Sequence, residues 1–421
     1  MTTITDYNYS KFISVFVLLS LFIPLFPAFA VEFDDNPFSL KASSYLPAKI
    51  LHSKLYTINE QIVNDGFINT YTVKSTWNTY EISSNIALYK LLHEIKAIAA
   101  IKKVEESDVF INALKESGVA TIDGLKNLFS DPADTLENAV SGIGSLFSRA
   151  EESIFNSSPG QSEDSRIKQT IGFSNAKREV AFRYKVDVYS QNTILQEHLD
   201  KIAWAEYAGG LTLGVATMPI GGVAGMTLSV SGTARLLGEV IATTPPAELK
   251  LLNRKKLAKM GIDENLADLF IENPHFSPLQ QTAFVMSLEK IETASNRSLP
   301  LQTALQVNDR NMARYMTSII AMFAGYNDKI APLEQFKTVA RVFSAINKEG
   351  KMIIMLPADY ITWNQRLAEG LNLTKDTTGS ETEIWITGTA SPLAKKKMQA
   401  AGWHLEQQVA TQIGFKNNTN K

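Results

Sequence analysis

The chain has no cysteine and only five histidines in 421 residues. Disulfides, thiolate metal sites, cysteine nucleophiles and a cysteine lipid anchor are therefore excluded. The histidines are scattered: His52, His93, His198, His275 and His404. "HEIKA" at His93 begins like the metalloprotease helix motif but has Ala97 where the second imidazole must stand one turn on. His198 with Glu197 and Asp200 could bind a metal only if ligands converged from elsewhere, so a solvated helix face is the simpler reading. No metal and no cofactor are expected. Charge of either sign is not in surplus, because 41 Lys and Arg stand against 43 Asp and Glu. That balance gives nucleic acid no electrostatic footprint.

The strings that would mark common chemistry are missing too. There is no G-x-S-x-G elbow and no G-x-x-x-x-G-K-[ST] loop. "SNAK" at Ser174 and "SLEK" at Ser287 have the spacing of the serine-lysine pair of penicillin-recognising enzymes, in which the lysine deprotonates the serine. Neither is joined by a K-T-G or S-D-N string, and Ser174 reads better as a helix cap. No catalytic residue is assigned.

The clearest positive feature is the N-terminus. "FISVFVLLSLFIPLF" is continuously apolar, and "PAFA" places Ala28 and Ala30 in the small-x-small pattern of a signal-peptidase site. Pro24 and Pro27 fit a cleavage region better than the interior of a spanning helix. Residues 1–30 are expected to be a signal peptide, with the mature chain exported across the inner membrane and periplasmic or envelope-associated.

The rest divides by pattern. Residues 31–156 read as a β-meander followed by amphipathic helices, with Asp65-Gly66 and Trp77-Asn78 as turns. Residues 157–166 are polar and turn-rich, a candidate linker. Residues 167–332 read as helical, with starts at Ser174, Ser190 and Pro245-Pro246 and a stop at Gly261. Residues 333–409 read as a small α/β unit in which "LEQFKTVARVFSAINKEG" is a helix leading into the strand "KMIIMLP". Residues 410–421 are expected to be a disordered tail. The expected fold is mainly α with a small N-terminal antiparallel β meander and a small C-terminal α/β unit, α+β overall.

Within the helical part, "GGLTLGVATMPIGGVAGMTLSVSG" is uncharged, and the uncharged stretch runs from Tyr207 to Ala234. On a helix, at about 100° per residue, Gly210, Gly214, Gly221, Gly225 and Gly232 share one narrow face suited to close packing against a helix or a membrane. Pro219 would kink such a helix and marks the turn of a hairpin. Met226, Leu228 and Val230 alternate with Thr227, Ser229 and Ser231, which is strand periodicity. A helical hairpin, a β-hairpin and an irregular glycine loop all remain open, as does its environment; packing within the protein core is the simpler reading than lipid.

"WITGTASPLAK" runs from a strand through Gly388 and Thr389 to a helix start at Ser391, which offers backbone N–H groups to an anion. A routine strand-to-helix turn, with Ser391 capping its own helix, explains it more simply. The basic clusters "NRKKLAKM" and "AKKKMQ" read as solvated helix faces, and Trp363, Trp385 and Trp403 as core.

The order of signal peptide, "YTVKSTWNTYEIS", "NPHFSP" and "WITGTASPLAKKKMQAAGW" resembles a group of exported proteobacterial proteins of no assigned function. The resemblance implies an envelope location and nothing about activity. The leading functional expectation is a non-catalytic envelope protein whose partner is an envelope protein or a membrane surface. The alternatives are a periplasmic hydrolase or lipid-modifying enzyme without a recognisable motif, and a pore-forming protein that inserts its glycine-rich hairpin.

Overall fold

The computed structural model describes residues 33–34, 38–116, 163–211, 233–339, 342–378 and 381–414. These residues form two five-stranded sheets, one near each end of the sequence, joined through helices. The expectation of a mainly α protein is thereby corrected: the fold is α+β, with two full sheets instead of a small meander and a small α/β unit.

Sheet A contains β1 (Phe38–Lys41), β2 (Tyr56–Ile58), β3 (Gln61–Asn64), β4 (Asn69–Ser75) and β5 (Thr79–Ser83), all antiparallel. One edge of β4 pairs with β5 along its length, and the other meets β3 at Asn69 and Thr70, then β2 from Val73 to Ser75. The break at Asn59 and Glu60 separates β2 from β3 along that one edge. Strands of three or four residues, such as β1 and β2, are too short to announce themselves by alternation. The turns are local and legible: Gly66 takes φ +105° after Asp65, and the Ser75 hydroxyl accepts from the Trp77 and Asn78 N–H groups. Two short helices, α1 (Ala42–Tyr45) and α2 (Ala48–Leu51), close one side.

Helix α3 (Asn85–Glu105), about 30 Å long, is capped by Ser84, whose hydroxyl accepts from the Ala87 N–H at 3.2 Å. Leu88, Leu92 and Ile95 bury against sheet A, whereas Ala97, Ile98 and Ile101 enter a helical core. That core is built with α4 (Asp108–Glu116), α5 (Glu163–Arg183), α6 (Thr193–Gly209) and α7 (Thr233–Thr243). Ser174 lies inside α5, not at its start, and Asn192, not Ser190, caps α6 by accepting from the Leu195 N–H. Gly210 ends α6 in the left-handed region at φ +64°.

A third core gathers α8 (Pro246–Lys259), α9 (Glu264–Ile271), α10 (Pro278–Glu289), α11 (Ser298–Ala304) and α12 (Arg310–Lys329) against sheet B. Pro245-Pro246 opens α8 and Gly261, at φ +74°, follows its end.

Sheet B has the order β12-β10-β8-β7-β6. Its first hairpin, β6 (Leu333–Val339) and β7 (Val342–Asn347), occupies the segment expected to be a helix. Leu333, Phe336 and Val339 are all buried, and their spacing of three imitates a helix. A register shift between Leu333 and Gln335 puts Leu333 and Phe336 on the face toward α12, and Val339 is buried on the opposite face of the sheet. The remainder is β8 (Met352–Leu356), β9 (Tyr360–Ile361), α13 (Gln365–Thr378), β10 (Thr382–Ile386), β11 (Thr389–Ala390), α14 (Pro392–Ala400) and β12 (Trp403–Glu406). Strands β8, β10 and β12 are parallel. Met352, Ile354, Ile384 and Ile386 pack with α13 and α14, while Ile353, Met355 and Trp385 pack with α12. The chain beyond β12 stays attached to this core: Ile413 is buried, and a Cβ on Gly325 of α12 would strike its carbonyl.

Candidate functional site

The carboxyl ends of parallel strands are where open α/β sheets place ligands. Here the turn between β3 and β4 of sheet A rests on those ends. The Asp359 and Tyr360 N–H groups donate to the Phe67 carbonyl at 2.9 and 3.3 Å, and the Thr362 N–H donates to that of Gly66 at 3.1 Å.

Asp359, three residues past β8, is the centre of this seam and is 2% exposed. Its two carboxylate oxygens accept from two separate pieces of backbone, Oδ2 from the Asn69 N–H at 3.0 Å and Oδ1 from the Asn85 N–H at 3.0 Å. One carboxylate thereby ties the end of β8 to the starts of β4 and α3. Among the described residues no cation pairs with it. Burial lifts its carboxyl from 3.8 to about 7; the two N–H groups pull the other way and Asp65 adds repulsion.

A closed polar network surrounds it. Asn64 Nδ2 donates to Asn69 Oδ1 at 2.8 Å, Asn69 Nδ2 donates to the Tyr71 hydroxyl at 2.9 Å, and Tyr71 donates to Asn85 Oδ1. Asn85 Nδ2 then donates to the Tyr45 hydroxyl at 3.1 Å, and Tyr45 donates to the Asp359 carbonyl at 2.5 Å. Burial, reinforced by the Asp359 charge, holds the Tyr45, Tyr71, Tyr89 and Tyr315 hydroxyls above the ordinary phenol range. The arrangement keeps a proton on a carboxyl near neutral pH without opening that carboxyl to a substrate.

The candidate anion turn lies next to it. Gly388 donates its N–H to the Ala358 carbonyl at 2.8 Å, Thr389 to that of Asp359 at 3.1 Å, and Ser391 to that of Ile361 at 2.8 Å. Ser391 also caps α14, accepting from the Ala394 N–H at 3.0 Å. The anion beside this helix start is the chain's own Asp34, whose Oδ2 accepts from the Ser391 hydroxyl at 2.5 Å and the Trp363 N–H at 2.6 Å. Gly388 is required by contact, since a Cβ there would land on the Asp359 carbonyl.

A second buried carboxylate sits farther along α3. Glu94 accepts from the Ser190 hydroxyl at 2.7 Å and Asn192 Nδ2 at 3.2 Å, with Lys90 at 3.8 Å and Lys90 itself 2.7 Å from Asp187. Burial raises the Glu94 carboxyl above its usual range despite Lys90. At the far end of α3, Glu105 holds His198 Nδ1 at 2.7 Å, Glu197 pairs with Lys201 and Asp200 with Lys177, so the residues considered as metal ligands each face another partner.

An open cavity of about 390 Å³ lies between α5 and α6, lined in part by Asn175, Glu179, Arg183, Glu206 and Tyr207. Arg183 pairs with Glu206, whose carboxyl burial nevertheless raises. Phe173, Trp204 and Tyr207 form a ring series at 6.1 and 6.2 Å beside it. Of the glycine face, only Gly210 is described; Gly214, Gly221, Gly225, Gly232 and the turn residue Pro219 lie outside the described residues. Among the described residues no helix is long and apolar enough to cross a membrane. Comparison of the chain with protein-family models, curated proteins and solved structures returned no match.

Sequence reasoning missed Asp359, Tyr45, Asn69, Asn85 and Asp34. The available signal was an acidic residue just past an apolar strand, in "KMIIMLPADY".

Proposed function

We propose that this is an exported cell-envelope protein that works through contact with a protein partner, using helices α5, α6 and α7. The observation that carries this reading is where apolar side chains reach solvent. Phe182 on α5, Tyr207 on α6 and Leu236 on α7 are 46%, 36% and 54% exposed, and α6 and α7 both pack on α5. Apolar side chains exposed on helices that pack together suit a partner surface, and Val109, Leu251 and Leu269 are exposed singly on other helices at 62%, 62% and 61%.

Charge favours a protein over a lipid surface. Glu179 and Glu206 stand at the cavity with Arg183 as the single cation among its lining residues, which opposes anionic headgroups. The basic run on α8 is engaged within the fold: Lys250 and Arg254 pair with Glu272, Arg254 also with Asp268, and Lys256 with Glu289. A non-catalytic role fits the use of Asp359, whose oxygens bind backbone at a seam.

The test is the size and location of the protein in fractionated cells. Wild type should be recovered in the carbonate-soluble envelope fraction within an assembly larger than one chain. Phe182→Asp and Leu236→Asp should release it as a folded monomer with an unchanged melting midpoint. Recovery in carbonate-resistant membranes, or a wild type that is already monomeric, would overturn the reading.

A further inference from the structure

The cavity between α5 and α6 carries a negative charge that the described residues leave unpaired. Glu179 lines it and is exposed, and its charge acts through space on Glu206 and on the buried Arg178. Among the described residues Glu179 forms no ion pair. Arg183, the one cation of the lining, is committed elsewhere, because its two terminal nitrogens donate to the two oxygens of Glu206. Burial raises the Glu206 carboxyl, and the Glu179 charge adds to that rise. The lining is therefore one cation short.

The rest of the lining suits an alkyl stem that ends in a flat cation. Ala176 and Leu211 are apolar, and the Tyr207 ring packs on bare α5 backbone, since a Cβ on Gly172 would strike it. Trp204 meets that ring edge to face at 6.2 Å. A guanidinium stacks on an aromatic ring, and its planar fork matches the two oxygens of a carboxylate. The segment that follows α6 holds no such group, because Tyr207 to Ala234 is uncharged. The cavity also continues the apolar surface assigned to the partner: Asn175, Glu179, Phe182 and Arg183 recur at helical spacing along one face of α5, with exposed Phe182 one turn beyond Glu179.

We propose that the cavity between α5 and α6 receives an arginine side chain of the protein partner, stacked on Tyr207 and paired with Glu179. This rests on the docking reading above and names the chemistry that recognises the partner, an arginine next to apolar residues that cover Phe182.

The test is calorimetric titration of the whole mature protein at low salt with a short capped peptide that has one arginine between two leucines. Control peptides carry citrulline, the neutral isostere, or lysine in its place. The arginine peptide should bind saturably, the citrulline peptide about tenfold more weakly for loss of both the pairing and the stacking, and the lysine peptide in between. Glu179→Gln should weaken the arginine peptide about fivefold, with the citrulline peptide and the melting midpoint unchanged, because Glu179 is exposed and holds no partner within the fold. Tyr207→Leu should weaken the arginine peptide about threefold; if that variant fails to fold, Glu179→Gln and the citrulline peptide still decide. Equal affinity for arginine and citrulline, no saturable binding at millimolar peptide, or an arginine preference that survives Glu179→Gln would overturn the proposal. Failure of the docking reading shows elsewhere, as a monomeric wild type in fractionated cells. An assembly that Phe182→Asp breaks and Glu179→Lys leaves intact would overturn the arginine site alone.

Discussion

Asp359, at the start of helix α3, and Glu94, on that helix, are both buried carboxyls, and they are held by different kinds of partner. Asp359 accepts from two backbone N–H groups on separate segments, with no cation among the described residues. Glu94 accepts from the Ser190 and Asn192 side chains, with Lys90 nearby. Burial raises both carboxyls. Side chains can turn toward water when their partner is lost, whereas the Asn69 and Asn85 N–H groups cannot leave the seam without unpairing β4 or uncapping α3. The seam is therefore the more brittle of the two sites.

The largest effect that sharpens this contrast comes from Gly388→Ala. Its new Cβ would meet the Asp359 carbonyl, so backbone must move at the carboxyl ends of β8 and β10. A loss of about 4 kcal/mol or failure to fold is expected, read by urea denaturation. Asp359→Ala follows, with about 3 kcal/mol lost, because it strands two buried donors. Glu94→Gln should cost less, about 1–2 kcal/mol, since Ser190 and Asn192 can re-pair. Combined with Lys90→Met it should fall short of the sum of the single losses by at least about 0.5 kcal/mol, as expected for groups in contact. If Glu94→Gln proved as damaging as Asp359→Ala, the contrast between fixed and adaptable partners would fail. The smallest effect is that of Ser391→Ala, about 1 kcal/mol for the lost cap, which chemical denaturation would resolve.

What was legible in the sequence was local. Asp65-Gly66, Pro245-Pro246, Gly261 and the cap at Ser391 rest on residues within a few positions of one another, and each appears where its chemistry demands. The β6–β7 hairpin was hidden because a shift between Leu333 and Gln335 and burial of both sheet faces, Phe336 on one and Val339 on the other, give a strand the buried spacing of a helix. The curl of sheet A was hidden because β1 and β2 are so short. Asp359 was hidden for a different reason. Its partner Asn69 lies 290 residues away in sequence, and no periodicity or spacing rule reaches across that separation. The anion turn was legible as a helix start, but its occupant, Asp34, lies 357 residues from Ser391.

Protonation gives the seam its most direct test. Because burial lifts Asp359 from 3.8 to about 7, the folded protein holds a proton between those values that the unfolded chain has released. Its contribution to stability is complete below pH 3.8 and is lost as pH rises through about 7. The deciding measurement is the unfolding free energy of wild type and Asp359→Asn from pH 5 to 8.5, taken as a difference so that other titrating groups cancel. Wild type should lose about 2 kcal/mol or more relative to the variant across that range. Parallel curves for the two proteins would contradict a buried, proton-holding carboxyl at the join between the sheets.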